Sequence, residues 1–387
     1  MPAEENVSNS FLLDQINSEV VSLLTPVIIY LSVLMFFGLI GNMLVLFYYG
    51  RQTKRSRHAI FICTLAFIDL ASCALSIPAN FLDIRFYYTY TNIPLCKVLC
   101  FVNYLTTTGS AFTIFAIAVD RFRRICRPLK QQWGLKQCKL LCGSSFLLAL
   151  IYSWPVLIFY TSVEEDLKAS NGKIVKGHDC RNITARNYKT YYKVFNFLYL
   201  ITFIICYGVI VVVYSRVGKS LYRHKRNLQN FRMSSKKRCM KRTALDKTQT
   251  PRYDNSDVKN DATCEGKAQT NDMKETEDGL NTVSFKYTLI MLVIAAVYLI
   301  SLLPFFIIVI LNAFLKMKDS AQGGALVAYK IGERSQYLPC AANAIIYGFL
   351  NAQFRKYYRS ELLLCNRCKV SNDNLLSSSD TTVTTKL

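Results

Sequence analysis

Three places in this 387-residue chain put charge where charge is expensive. Asp69 stands inside an otherwise apolar run, Asp120 and Arg121 adjoin the end of another, and Glu333 shortly precedes a third. An ionisable residue set in apolar sequence faces a polar interior or a partner, and marks a functional site by default. A carboxylate beside a guanidinium is chemistry for a reversible ion pair, in which Asp120 holds Arg121 until a competing partner arrives. Neither grouping is suited to breaking bonds. The chain has no phosphate-binding Gly loop, only three His and no paired carboxylates at hydrolase spacing, so an enzyme is not expected.

The elements that must position these residues are long uncharged stretches: Val20 to Gly50, Ala59 to Leu82, Val98 to Val119, Leu140 to Val163, Val194 to Ser215, Tyr287 to Leu315 and Ser335 to Phe354. Each reaches the roughly 20 residues that a helix needs to cross ~30 Å of hydrocarbon. Backbone amides in lipid must be satisfied within their own segment, so these stretches are helices. The expected fold is an all-α membrane protein, a seven-helix bundle followed by a short amphipathic eighth helix. With 52% hydrophobic residues and a mean hydropathy of +0.21, the helices and their connections account for nearly the whole chain.

Orientation follows from Lys and Arg, because short basic loops resist translocation. Residues 1–25 contain none, and most of the 47 basic residues fall in alternate connections beginning after Gly50 and in the tail. That predicts an extracellular segment 1–25, a membrane domain 26–354 and a cytoplasmic segment 355–387 carrying the surface helix, in a multi-pass plasma-membrane protein with its C-terminus in the cytoplasm. The two Asn-x-Ser/Thr sequons, at Asn6 and Asn182, both fall on the predicted outside and are candidate glycosylation sites. Residues 1–10 lack a basic start or a small-residue cleavage site, so the first helix is expected to act as its own insertion signal.

The net charge of +22 has no aromatic interleaving or recognition helix to suit nucleic acid; membrane lipids and an acidic cytosolic partner are the expected contacts. The connection 216–286 is basic at first and acidic later, with an apolar content low enough to predict disorder, its basic part continuing the fifth helix. Cys96, at the outer end of the third stretch, and Cys180, in the long outer loop, both face the oxidising side; a disulfide there would tie the loop to the bundle. Cys365 and Cys368 follow the basic surface segment, where palmitoylation is favoured over a redox or zinc motif for want of a second ligand pair.

Several short strings agree in order and helix with one family. Gly41-Asn42 lies in the first stretch, Leu65-Ala66 with Asp69 in the second, Asp120-Arg121-Phe122 ends the third, and Asn343-Ala344-Ile345-Ile346-Tyr347 ends the seventh. With the Cys96/Cys180 pair and the segment Phe354 to Leu364, they resemble the rhodopsin-like (class A) G-protein-coupled receptors over about Pro26 to Cys368. The resemblance implies that Asp69 meets Asn42, Ser110 and Asn343 in a hydrated pocket that holds Na⁺ in the inactive state; a protonated, hydrogen-bonded Asp69 is the alternative. It implies that Arg121 turns toward Tyr207 and Tyr347 when the sixth helix swings outward, opening a groove for a heterotrimeric G protein. It also implies a receptor kinase and arrestin acting on the tail, where Ser377 to Thr385 form a phosphorylatable cluster. Tyr207 and Tyr347 read equally well as interfacial anchors.

The sequence departs from the family pattern in the sixth helix, where Pro304 can still kink the chain but Tyr298 and Leu302 replace the usual Phe and toggle Trp. A Trp-flip mechanism is excluded, and altered basal activity is an open alternative. Tyr199 is read at the usual fifth-helix Pro, and Ala344 replaces the Pro of the last motif. Asn103 stands where amine receptors have Asp and Tyr337 where opsins have Lys, which excludes an amine counterion and a Schiff base. What remains resembles the peptide-receptor group, with Asp83, Asn103, Tyr104, Phe305, Phe306, Glu333 and Tyr337 facing the outer cavity and the carboxylates suited to a basic or amidated peptide. Ordinary packing for the aromatics and solvation for the charges is the alternative. A transporter would show broken helices or repeats, which are not evident; a receptor-like protein that does not signal is the other rival.

Overall fold

The computed structural model describes residues 2–51, 56–169, 172–182, 186–246, 288–311 and 321–360. Six helices within them are long and apolar enough to cross a membrane: Thr25–Gly50, Arg57–Arg85, Ile93–Cys126, Leu135–Phe159, Thr190–Ser220 and Thr288–Leu311. These are spans one to six. The seventh is broken into Gly324–Glu333, a 3₁₀ turn Ser335–Tyr337 and Leu338–Leu350, and a surface helix over 352–360 follows it.

Local chemistry sets many of these ends. Ser56 accepts from the Ala59 amide at 3.2 Å and Asn92 from the Leu95 amide at 3.0 Å, capping the second and third spans. Pro26, Pro94 and Pro339 occupy first turns, where a missing N–H costs nothing. Asn351 starts the surface helix by accepting from the Gln353 and Phe354 amides. Beyond Asp69 the second span widens into a π turn, Ser72–Ser76, a local irregularity common at functional sites.

The third span lies at the centre and packs against the second, fourth and fifth. The first span packs on the second and seventh, and a Cβ added at Gly41 would collide with Ala344, so glycine is what lets those two helices touch. Facing outward, the first span carries Ile29, Val33, Phe36, Phe37, Ile40 and Phe47 as exposed apolar side chains, a surface that suits lipid and not water.

Some boundaries differ from the sequence reading. Residues 160–163, expected to end the fourth helix, begin a strand: Tyr160–Lys168 pairs antiparallel with Ile174–Asn182, with Ser162 opposite Cys180. Pro155 breaks the fourth span near its end, and alternating polar residues past Phe159 suit a hairpin. Residues 2–23, read only as an outer segment, form a helix whose Asn17 donates to the Arg85 carbonyl at 3.0 Å and accepts from the Tyr88 amide at 2.9 Å. The fifth helix runs unbroken from Arg186 to Asp246, so the basic part of the 216–286 connection does continue that helix, and the disorder expected for the whole connection does not extend to residues 216–246. Residues 247–287, Cys365, Cys368 and the Ser377 to Thr385 cluster lie outside the described residues.

Candidate functional site

The hairpin closes over one end of the bundle. Cys180 on its second strand is disulfide-bonded to Cys96 of the third span, with Cα atoms 5.7 Å apart. Tyr90 anchors the same strand from the second connection, its amide donating to the His178 carbonyl at 2.9 Å. Beneath lies a cavity of roughly 330 Å³. Asp83, Asn103, Tyr104, Phe305, Glu333 and Tyr337 all line it. Phe306 does not: one residue further around the helix, it packs on Phe203 at a centroid distance of 5.5 Å.

The polar floor is neutral and closed upon itself. Tyr337 donates to Asn103 Oδ1 at 3.1 Å and accepts from Asn80 Nδ2 at 2.9 Å. The charges also meet within the protein. Arg334, almost fully buried, reaches Asp83 at 2.8 Å and Glu333 at 3.1 Å, and Lys330 reaches Glu333 at 3.4 Å. The two carboxylates read as receptors for a cationic ligand are thus already paired. Arg334 escaped the sequence reading because the seventh stretch was begun at Ser335, although Lys330 and Arg334, four residues apart, flank Glu333 on one helical face. The wall is rich in tyrosine: Tyr104 and Tyr160 share a 3.1 Å hydrogen bond, and Tyr199 meets Thr108 at 3.3 Å. Just beyond the fourth span, burial and nearby phenols raise the Tyr160 hydroxyl well above its ordinary value, so it stays protonated.

Midway along the bundle, Asn343 donates to Asp69 Oδ2 at 2.7 Å and Ser110 to Oδ1 at 3.4 Å. Asn343 Oδ1 is buried and has no hydrogen-bond partner among the described residues. Asn42 donates to the backbone carbonyls of Gly38 and Cys340, joining the first and seventh helices. No direct hydrogen bond joins Asn42 to Asp69 among the described residues; its amide is taken up by these two backbone carbonyls. Pro304 lies in the sixth span, and Tyr298 and Leu302 are both buried on its inner face.

At the far end, Arg121 is fully buried. Its Nη2 lies 3.1 Å from Asp120 Oδ2 and 2.9 Å from His58 Nδ1, and Arg124 reaches the same Asp120 oxygen at 3.6 Å. Tyr347 is buried nearby with its hydroxyl unpartnered among the described residues. Tyr207 is elsewhere: it donates to the Leu299 carbonyl at 3.4 Å and packs edge-on against Phe306. The fifth-helix tyrosine within electrostatic reach of Arg121 and Tyr347 is Tyr214, buried and with no hydrogen-bond partner for its hydroxyl among the described residues. Seven residues are close to two helical turns, so Tyr207 and Tyr214 share a face and periodicity cannot separate them.

Asn6 lies within the helix Pro2–Leu23, and Asn182 ends the second strand at the hairpin end of the bundle. The chain is similar to curated receptors over part of its length. It is 30% identical to the C3a anaphylatoxin chemotactic receptor of Danio rerio over 237 residues, 59% of this chain and 60% of that one. It is 30% identical to the Neuropeptide S receptor of Homo sapiens over 137 residues, 35% and 37% of the two chains. It is 28% identical to the Tachykinin-like peptides receptor 99D of Drosophila melanogaster over 216 residues, 52% and 40%. The chain therefore spans less than two thirds of the length of each of these relatives. The model of the 7 transmembrane receptor (rhodopsin family) matches residues 41–347, which contain the disulfide, the Asp69 cluster and the Arg121 end, and the chain belongs to that family of multi-pass membrane receptors, which are not enzymes.

Proposed function

We propose that this protein is a G-protein-coupled receptor of the plasma membrane for an extracellular peptide. One observation carries the reading: a single helix, the third span, lines the hairpin-covered cavity through Asn103 and Tyr104 and holds the buried Arg121 eighteen positions later. At 1.5 Å per residue that is about 27 Å, close to the thickness of the hydrocarbon. The hairpin end faces outside, which places Asn6 and Asn182 where glycosylation occurs, and the Arg121 end faces the cytoplasm. The relatives named for neuropeptide S and tachykinin-like peptides support a peptide, as does the broad tyrosine-lined cavity.

In this reading the ligand draws the hairpin end together, the sixth span moves outward at its other end, and Arg121 leaves Asp120 for Tyr214 and Tyr347. A heterotrimeric G protein then docks in the groove, and tail phosphorylation by a receptor kinase later recruits arrestin. The buried oxygens of Asp69, Ser110 and Asn343 suit a hard cation such as Na⁺, which would favour the resting state. Palmitoyl groups on Cys365 and Cys368 would hold the surface helix to the leaflet, and basic residues there would meet anionic lipids.

The decisive experiment is a second-messenger screen of cells expressing the full chain against a peptide library, with Arg121→Ala as control. Peptide responses that vanish with Arg121→Ala are expected. Responses that persist unchanged in that variant refute the switch. No guanine-nucleotide exchange on any added G protein would favour the rival reading, a receptor-like protein that does not signal.

A further inference from the structure

The Arg121 end holds more cations than its carboxylates can serve. Asp120 is shared between Arg121 at 3.1 Å and Arg124 at 3.6 Å, and Arg57 adds a third guanidinium within electrostatic reach of Arg121. Arg121 is fully buried, and its Nε and Nη1 have no hydrogen-bond partner among the described residues. A guanidinium taken from water in this way needs acceptors, and a half share of one carboxylate is a weak hold.

His58 supplies the missing acceptor. It sits in the first turn of the second span, which Ser56 caps and Arg57 ties down by donating to the Trp133 carbonyl at 2.5 Å. That connection between the third and fourth spans is itself braced by Arg123, whose guanidinium lies over the Trp133 ring at 4.9 Å. So placed, His58 Nδ1 lies 2.9 Å from Arg121 Nη2. Arginine has no lone pair to offer, so Nδ1 accepts and the imidazole is neutral with its proton on Nε2. An imidazolium here would face Arg121, Arg124 and Arg57 together.

We infer that His58 is a positioning residue of the resting receptor: by accepting from Arg121 it holds that guanidinium against the second span and away from Tyr214 and Tyr347. The inference rests on the reading of Arg121 as the switch. Breaking the His58 contact is then part of activation, and removing the acceptor lowers its cost.

The test is guanine-nucleotide exchange on purified G protein by full-length receptor without ligand, normalised to receptor amount. His58→Ala is expected to raise the basal rate on the order of tenfold or more, the loss of one hydrogen bond to a charged group. His58→Lys, which removes the acceptor and adds a cation, is expected to raise it at least as far. His58→Asn places an amide oxygen near the Nδ1 position and is expected to restore the wild-type rate, which a packing role for the ring would not. Equal rates in wild type, Ala and Lys variants overturn the inference, as does an Asn variant as active as the Ala one. If the Ala variant does not fold, the Asn and Lys rates decide alone. Wild-type exchange that Arg121→Ala leaves unchanged rejects the switch itself, a result distinct from silence at His58.

Discussion

Arg334 is the residue whose removal should be felt most at the hairpin end. Its guanidinium serves two carboxylates, Asp83 on the second span and Glu333 beside it, and Asp83 is about a third exposed. Arg334→Ala is expected to cost about 2 kcal/mol, between the values for exposed and buried pairs, read as a lower melting temperature in detergent. Adding Asp83→Asn should recover part of that loss, because it removes a charge left without its partner; a double variant no more stable than the single one would deny the coupling. At Asp69, the substitution to Asn should abolish any dependence of agonist affinity on Na⁺ concentration, measured by ligand binding in sodium against a large organic cation. Persistence of the sodium effect would remove Asp69 from the ion site.

The two tyrosines of the fifth helix give a sharper test at the level of elements. Tyr214→Phe is expected to lower ligand-stimulated exchange several-fold, whereas Tyr207→Phe, bonded only weakly to the Leu299 carbonyl, should leave it near wild type. The reverse ranking would restore the register first read from the sequence. The pair also shows what is legible in the sequence and what is not. Helices could be counted because lipid demands an apolar run of fixed length, and Asp69, Asn343, Asp120 and Arg121 could be found because charge and amide stand out in such runs. Register along a uniformly apolar helix leaves no such mark, so the sequence alone does not separate Tyr207 from Tyr214. Pairing across elements was equally hidden: His58 and Arg334 become informative only once folding brings their partners from distant segments. The contact at Gly41 can be checked in the same spirit. Gly41→Val should cost about 1–3 kcal/mol by forcing the first and seventh helices apart at Ala344, with a matching fall in thermal stability.

Taken as one body, the receptor is tied at its mouth by a bridge that closes 84 residues of chain. Cys180→Ala should cost about 2–5 kcal/mol and abolish binding of the proposed ligand, because the hairpin loses its tether over the cavity. The opposite end is dominated by the fifth helix, which leaves the apolar span at Ser220 and continues to Asp246. Twenty-six further residues at 1.5 Å each make a rod of about 39 Å beyond the bundle. Such a rod is a lever arm: a tilt of ten degrees at its root, too small to notice within the packed core, carries its tip by about 7 Å. A fluorophore attached near Asp246 would therefore magnify motions of the bundle, and a transducer resting against that arm could sense them without reaching the arginine at all.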